Sequence, residues 1–304
     1  SSTLTWLLRR PAAAALLCAA IPLLVLAVAI PVTLAEESPP PSFFVLQLSD
    51  PQFGLQHFGG DKHDWHAEQA SFNSSLLLVN RLRPRFVILT GDLQNEQPVS
   101  GSRALGAQQV AAVKQSLTLL SSAVPLRTAT PGNHDVGDVP TEATLDEYER
   151  RWGDDRRVFD EGGIRFVVVD SQLYFNSSQP GVRARADAQT AWLTRQLDPA
   201  AAAASAAASA AGGEVAEEGG VVSAAVLITH IPPFVVAPHE PTGWANWPRG
   251  ARQAVLGATQ RAPLPLSLTI VGHFHVNVEN VTSAAFGGAP LEVVTTSSVG
   301  CPIR

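Results

Sequence analysis

The sequence contains only two cysteines, Cys18 and Cys301, among its 304 residues. Cys18 lies in an apolar N-terminal run, so a chain that has lost this run cannot form an internal disulfide. Zinc sites built from thiolates are also excluded, because each of them needs several cysteines. Any metal ion bound by this protein must therefore be held by carboxylate, amide or imidazole groups.

Basic residues are scarce as well. The chain has 21 Lys and Arg residues against 27 Asp and Glu residues, which gives a formal net charge of −6. This acidic balance lacks the positive footprint of proteins that bind nucleic acid. We therefore expect no nucleic acid partner, and we expect bound cations to be what attracts a phosphorylated substrate.

Methionine is absent, even at position 1, which indicates a processed or incomplete N-terminus. Two arginines precede an uncharged run over residues 12–35, which two prolines interrupt. The run is longer than the roughly 7–15-residue core of a signal peptide and long enough to span a bilayer. Residues 1–35 are therefore predicted to be a signal peptide or a signal anchor, the second giving a membrane tether through residues 12–35.

Three N-glycosylation triplets agree with a secretory route, and they begin at Asn73, Asn176 and Asn280. The predicted protein is a glycoprotein of the secretory pathway, either extracellular or anchored to a membrane. If the N-terminal segment does not act as a signal, the predicted location is the cytoplasm.

Residues 36–42 read as a Pro-rich linker, and residues 43–304 are predicted to form one domain. Within it, residues 199–220 are rich first in Ala and Ser and then in Gly and Glu, which indicates an exposed insertion without chemistry. The rest alternates short apolar runs with helical segments, and this alternation favours an α/β sheet.

The predicted strands are Phe43–Leu48, Phe86–Leu89, Leu126–Thr130, Ile164–Asp170, Ser223–Thr229, Leu266–Val271 and Leu291–Thr296. The predicted helices are Trp65–Leu82, Ala104–Ala123, Ala143–Trp152 and Asp187–Leu197.

Five of these strands are followed by side chains that can bind a metal or move a proton. They are Asp50 and Gln52, then Asp92, then Asn133, His134 and Asp135, then His230, and finally His273 and His275. In open α/β sheets the carboxyl ends of the strands converge on one crevice. Carboxylate, amide and imidazole groups together suit Mn, Fe, Zn or Mg. The pattern therefore predicts a metal centre.

Each motif also has an ordinary structural reading. Asp50 is in a typical turn position, Gly91-Asp92 is a common turn pair, and His230 could be a hydrogen-bonded core histidine. The run from Pro131 to Asp135 is far more specific. All five motifs in this order, each after an apolar strand, favour the metal centre.

With these motifs the chain resembles the calcineurin-like metallophosphoesterases, whose ordered motifs are D-x-H, G-D, G-N-H-[ED], H and G-H-x-H. Four further segments, at 50–54, 152–155, 170–174 and 297–301, resemble the calcineurin-like phosphoesterase domain-containing subfamily, whose animal members are described as serine/threonine phosphatases. Members of that subfamily continue past the Gly-Cys pair, which implies a C-terminal truncation here. The resemblance implies an α/β fold, a metallophosphoesterase-type β-sandwich of two mixed sheets flanked by helices in αββα layers.

The resemblance also assigns roles to the ligands of two divalent ions. Asp92 bridges the ions, Asp50, Gln52 and His275 belong to the first, and Asn133, His230 and His273 belong to the second. Gln52 stands where most relatives have a histidine. An amide oxygen is a weaker donor to transition metals, so we expect the first site to be weaker or to favour Mg or Mn.

Two ions about 3.5–4 Å apart can generate a hydroxide nucleophile and neutralise phosphate charge. We therefore expect hydrolysis of a phosphate monoester, either a phosphoprotein or a small ester, by a metal-bridging hydroxide. His134 is the expected general acid, and Asp135 is expected to orient or tune it. Some relatives pair this histidine with an aspartate at the position of Asn95, so that dyad is expected to be missing or built differently.

The substrate mouth is predicted to include Asn246, Trp247 and Arg249, together with Trp244, unless these aromatics simply pack. Two other functions stay open from the sequence. One is a phosphodiesterase or nucleotide hydrolase on the same metal centre. The other is a non-catalytic scaffold, which fits less well because only Gln52 departs from the ligand pattern.

Overall fold

The computed structural model describes residues 42–56, 62–99, 101–200, 222–282 and 290–301. The predicted targeting segment, most of the predicted linker and nearly all of the predicted insertion lie outside these ranges. Within them, no helix has the length and apolar character needed to cross a membrane. Targeting, tethering and glycosylation stay predictions.

The described residues form two β-sheets. A three-stranded sheet has the order β1-β2-β3, and a six-stranded sheet has the order β4-β5-β6-β7-β9-β8. The strands are β1 (Leu46–Leu48), β2 (Val87–Leu89), β3 (Leu126–Ala129), β4 (Arg157–Glu161), β5 (Ile164–Val168), β6 (Ala224–Ile228), β7 (Leu266–Val271), β8 (Val278–Thr282) and β9 (Leu291–Thr295).

Seven helices are described. They are α1 (His66–Leu82), α2 (Arg103–Leu117), α3 (Asn133–Val136), α4 (Glu142–Trp152), α5 (Gln172–Phe175), α6 (Pro180–Gln196) and α7 (Arg249–Thr259). Side-chain hydrogen bonds mark the first residues of two of these helices. The side chain of Ser102 accepts a hydrogen bond from Leu105 N at the start of α2, and Thr141 accepts one from Thr144 N before α4.

The two sheets pack face to face because their central strands are apolar on both sides. In β2, Ile88 faces the larger sheet, whereas Val87 and Leu89 pack against α1 and α2. Between the sheets, the rings of Phe86 and Phe166 meet edge to face at 5.2 Å. Strands buried on both faces read as continuous apolar runs, which is the pattern that made them recognisable.

Helices cover both outer faces. Helices α1 and α2 lie on the smaller sheet, and α6 and α7 pack with Val167 and Leu227 on the outer face of the larger one. The predicted αββα sandwich is confirmed in its layers. One detail differs, because only the larger sheet is mixed. Both pairings in the smaller sheet are parallel, while β4 and β8 add antiparallel pairs to the larger one.

Parallel pairing brings the carboxyl ends of β1, β2 and β3 to one edge, and those of β5, β6, β7 and β9 to one edge of the other sheet. Hydrogen bonds join these edges. The side chain of Gln47 in β1 donates to the carbonyl of Val271 in β7 at 2.8 Å, and His273 N, after β7, donates to Asp50 Oδ2, after β1, at 3.1 Å. The loops that follow the strands therefore meet in one place.

Candidate metal centre

Four of the predicted ligands form one buried cluster. His230 Nε2 lies 3.3 Å from Asp92 Oδ1, 3.3 Å from Asn133 Oδ1 and 3.2 Å from His273 Nδ1. The ligand atoms of Asp92, His230 and His273 lie within 4.8 Å of one another. One divalent ion could contact all of these groups, so the residues predicted for the second metal are brought together.

The residues predicted for the first metal meet beside this cluster. Asp50 Oδ1 lies 3.3 Å from His275 Nε2. Gln52 is buried at 2% exposure, and neither its Oε1 nor Asp50 Oδ1 has a hydrogen-bond partner among the described residues. Buried acceptors without partners are costly, and a bound cation would satisfy both. The donor set therefore fits a metal ion.

The three histidines share one arrangement that prepares them as ligands. Each directs one ring N–H to a backbone carbonyl: His230 Nδ1 to Thr90 O at 2.6 Å, His273 Nε2 to Trp244 O at 2.9 Å, and His275 Nδ1 to Cys301 O at 3.0 Å. A carbonyl only accepts, so in each neutral ring the other nitrogen carries a lone pair. That nitrogen faces the cluster, which is the arrangement of metal-binding histidines.

Backbone conformation also marks the site. Among the described residues, six non-glycine residues have a positive φ, and five of them are predicted ligands. These five are Asp50, Gln52, Asp92, His273 and His275, with φ between 37° and 68°. Such conformations cost on the order of 1–3 kcal/mol each and cluster at functional sites. Here they occur in the loops after β1, β2 and β7, which carry these five ligands into the site.

Glycines allow the loops to approach this closely. A Cβ on Gly272 would lie 1.9 Å from Ser49 Oγ, and a Cβ on Gly132 would lie 2.2 Å from Asp92 Oδ1. No side chain fits at either position without displacing an acidic ligand or its neighbour. Gly132 and Gly272 are therefore needed because neighbouring atoms occupy the space that a side chain would fill.

The ligands of the second-site cluster shift one another's pKa values. Burial opposes a charged His230, but the Asp92 carboxylate outweighs it and raises the pKa of His230 to about 10. Burial likewise opposes a charged Asp92, yet His230 and His134 bring the pKa of Asp92 well below its usual range. Burial and His230 lower the pKa of His273 to about 4. Asp92 and His230 therefore favour each other's charged form, and a metal ion bound by His230 would compete with its proton.

His134 lies at the edge of the centre and is half-buried. Its backbone N–H donates to Asp92 Oδ1 at 2.9 Å, and its Nδ1 donates to the carbonyl of Asn95. The partner of this ring is therefore the main-chain carbonyl of Asn95, so the expectation of a differently built pair is confirmed at this position. Nε2 remains as the ring atom that can exchange a proton with a substrate.

Asp135 acts on the loops and not on the ring of His134. Its carboxylate accepts hydrogen bonds from Gly132 N at 2.9 Å and Leu93 N at 3.0 Å. Burial, with the nearby Asp92 carboxylate, raises its pKa to about 8. The predicted orienting role is therefore corrected, because Asp135 ties the loop after β2 to the loop after β3, whereas electrostatic tuning of His134 by Asp135 stays a prediction.

The predicted substrate residues require a correction. Trp247 is fully buried in the core, where its Nε1 donates to Ile231 O at 2.8 Å, so it does not line the mouth. Asn246 is buried too and accepts a hydrogen bond from Gly243 N at 2.8 Å. Arg249 is exposed at the first turn of α7. The residue of this loop that touches the centre is Trp244, whose ring lies 5.2 Å from that of His273.

The chain is similar in sequence to known phosphoesterases. The calcineurin-like phosphoesterase family model matches residues 45–277, a span that includes every predicted ligand. The serine/threonine-protein phosphatase CPPED1 of Danio rerio is 30% identical over 272 residues, covering 86% of this chain and 77% of the relative. The Homo sapiens protein of the same name is 30% identical over 277 residues, covering 86% and 76%.

A solved structure has a similar fold. The crystal structure of a dimetal phosphatase from Danio rerio superposes with a TM-score of 0.52 at 15% sequence identity, covering 86% of this chain and 88% of that one.

Proposed function

Because the chain belongs to the calcineurin-like phosphoesterase family and is a metal-dependent phosphoric ester hydrolase, we propose that it hydrolyses phosphate monoesters, with phosphoserine or phosphothreonine in proteins as substrate. The observation that carries this proposal is the position of His134. Its backbone N–H donates a hydrogen bond to Asp92. The His134 ring therefore lies beside the metal ligands, and the proposed ligand sets are complete without it.

The proposed ligands divide into two sets around Asp92. Asp50, Gln52 and His275 would hold one ion, and Asn133, His230 and His273 would hold the other. Two divalent ions, when bound, supply an activated water and neutralise charge on the phosphate. The amide of Gln52 in the first set favours Mg or Mn over Fe or Zn there.

In the proposed reaction His134 gives a proton to the departing alcohol oxygen. Its Nδ1–H is committed to the Asn95 carbonyl, so the transferred proton must come from Nε2. Serine and threonine are poor leaving groups as alkoxides, and protonation in the transition state removes that penalty. Named relatives that are serine/threonine-protein phosphatases support this substrate class.

Replacing His134 with Ala tests the acid. We expect kcat for a phosphoserine peptide to fall by about 10²–10⁴-fold while the metal content per chain stays the same. The loss should be smaller for p-nitrophenyl phosphate, because p-nitrophenolate leaves without a proton. His66→Ala is the matched control, since His66 is an exposed histidine at the start of α1. Unchanged turnover in His134→Ala would refute the mechanism.

A substrate panel tests the ester class. We expect p-nitrophenyl phosphate to be hydrolysed with a higher kcat/KM than its bis-ester or a cyclic nucleotide. A preference for the diester would replace the monoesterase proposal with a phosphodiesterase on the same centre. Full metal content without turnover of any ester would leave the scaffold alternative.

A further inference from the structure

The segment Pro232–Pro248, between β6 and α7, passes over the metal centre. Its point of contact is Trp244, whose carbonyl accepts the Nε2–H of His273 at 2.9 Å. The indole ring lies 5.2 Å from the imidazole of His273 and 5.8 Å from the ring of Phe274. His273 is only 9% exposed, whereas Trp244 is 61% exposed. Trp244 therefore forms the outer wall beside a proposed metal ligand.

This segment is held by the half-buried Glu240 and the buried Arg252. The Glu240 carboxylate accepts hydrogen bonds from the backbone N–H groups of Val235, Val236 and Ala237 at 2.8, 2.7 and 3.0 Å. The guanidinium of Arg252, fully buried in α7, donates to Pro238 O at 2.8 Å and to Trp247 O at 2.9 Å. The path of the backbone is thus fixed by groups other than the indole.

An exposed indole on a fixed backbone is a prepared binding surface. A flexible residue would lose side-chain freedom when a ligand bound, but the ring of Trp244 is already set against His273 and Phe274. Tryptophan offers a large flat apolar face, and aromatic pairs gain energy beyond the area that they bury. If this exposed position had no role beyond contact with solvent, a polar residue would suit it equally well.

We propose that Trp244 is a specificity-determining residue that binds an aromatic or other apolar group flanking the phosphate of the substrate. The inference rests on the proposed function, because the phosphate must occupy the metal centre for its substituent to reach the rim. The subsite would make the protein prefer phosphate groups with an apolar neighbour over those surrounded by small or polar groups.

Binding of two phosphonates tests this directly. Benzylphosphonate and methylphosphonate carry the same anionic group and cannot be hydrolysed, so calorimetry on the Mn-loaded full chain compares the substituents alone. We expect benzylphosphonate to bind about two- to tenfold more tightly, which is the size of a single aromatic contact. In Trp244→Ala the two dissociation constants should become equal, and Trp244→Phe should keep most of the preference.

Leu119→Ala is the matched control, because Leu119 is an exposed apolar residue outside this segment at 41% exposure. It should keep the wild-type ratio of the two dissociation constants. Equal affinities in the wild type, or a preference that survives in Trp244→Ala, would overturn the inference. Failure of the wild type to hydrolyse p-nitrophenyl phosphate would instead overturn the proposed function, and the binding ratio would still decide the subsite.

Discussion

At the scale of single residues, the ligands of this site depend on neighbours that have no side chain. Gly272 precedes His273, and a Cβ there would lie 1.9 Å from Ser49 Oγ, 2.6 Å from Asp50 Oδ2 and 3.0 Å from Thr90 O. The last of these is backbone, which cannot rotate away. At Gly272, therefore, the loops after β1 and β7 approach too closely to leave room for a side chain.

Gly272→Ala should push Asp50 out of position. We expect the free energy of unfolding to fall by about 1–3 kcal/mol, as for other overpacked sites, and the metal content to drop. Chemical denaturation and metal analysis measure the two effects. Gly250→Ala is the control, because no atom outside the local helix backbone lies within 4 Å of the added Cβ, so alanine should fit there without displacing a neighbour. Equal behaviour of the two variants would contradict this account.

Sequence reasoning worked for residues whose chemistry is specific and failed where only packing decides. The ligand motifs could be predicted because carboxylates, amides and imidazoles follow apolar strands in a rare order. Trp244 and Trp247 could not be separated, since both are tryptophans in one Pro-rich segment. Only Trp247 is buried. Its backbone N–H donates a hydrogen bond to Pro232 O and its Nε1–H donates one to Ile231 O, and these bonds hold the ring in the core.

At the scale of elements, α2 supports the proposed acid from a distance. The side chain of Gln109 is fully buried, and its Oε1 accepts hydrogen bonds from Asn95 N at 3.1 Å and Glu96 N at 2.8 Å. The carbonyl of the same Asn95 accepts Nδ1–H of His134. Helix α2 thus positions the Asn95 carbonyl, which in turn orients the ring of His134.

Gln109→Leu should loosen this arrangement. Two backbone N–H groups would lose their partner, so we expect a destabilisation of about 1–3 kcal/mol and a fall in kcat. In the His134→Ala background the same substitution should change kcat little, because the ring that it positions is gone. Gln108→Leu is the control, as Gln108 is the exposed neighbour on the same helix. Additive losses of kcat in the double variant would show that Gln109 acts on something other than His134.

The observed boundaries of helices and strands differ from the predicted ones where local sequence preference alone does not determine the structure. Helix α6 begins at Pro180 rather than at the predicted Asp187, because proline is well suited to the first turn of a helix. Strands β4 and β8 were not predicted. Each is an antiparallel partner of another strand, and β4 carries charged residues such as Arg157 and Asp160 that face solvent. Pairing, not composition, makes these segments strands.

At the scale of the whole molecule, the layers follow from the sequence but the site follows from strand direction. Apolar runs alternating with helices predict a covered sheet, and the αββα sandwich agrees with that prediction. What they cannot predict is that the strand ends of two separate sheets share one crevice. That depends on contacts between the sheets, such as Gln47 to Val271, and on the close approach of the loops.

A site that joins two sheets should couple metal binding to the stability of the whole domain. The proposed ligands come from loops after β1, β2 and β3 in one sheet and after β6 and β7 in the other. An ion that binds them therefore binds the folded chain and not the unfolded one. At a free Mn concentration 100 times its dissociation constant, linkage predicts about 2.7 kcal/mol of added stability. For a domain of this size each kcal/mol raises the melting temperature by roughly 2–4 °C.

Thermal unfolding with Mn and with a chelator measures this gain in stability directly. The variant Asp92→Asn tests whether the stabilising ion binds at the proposed centre. Asp92 lies within reach of His230 and His273 and is the carboxylate proposed to contact both ions, so its loss should remove most of the Mn-dependent shift. Asp154→Asn makes the same chemical change at an exposed position and should keep the full shift. If Asp92→Asn kept it too, the stabilising ion would be bound elsewhere. If the chelator had no effect on the wild type, the two sheets would be joined at this edge by their hydrogen bonds alone.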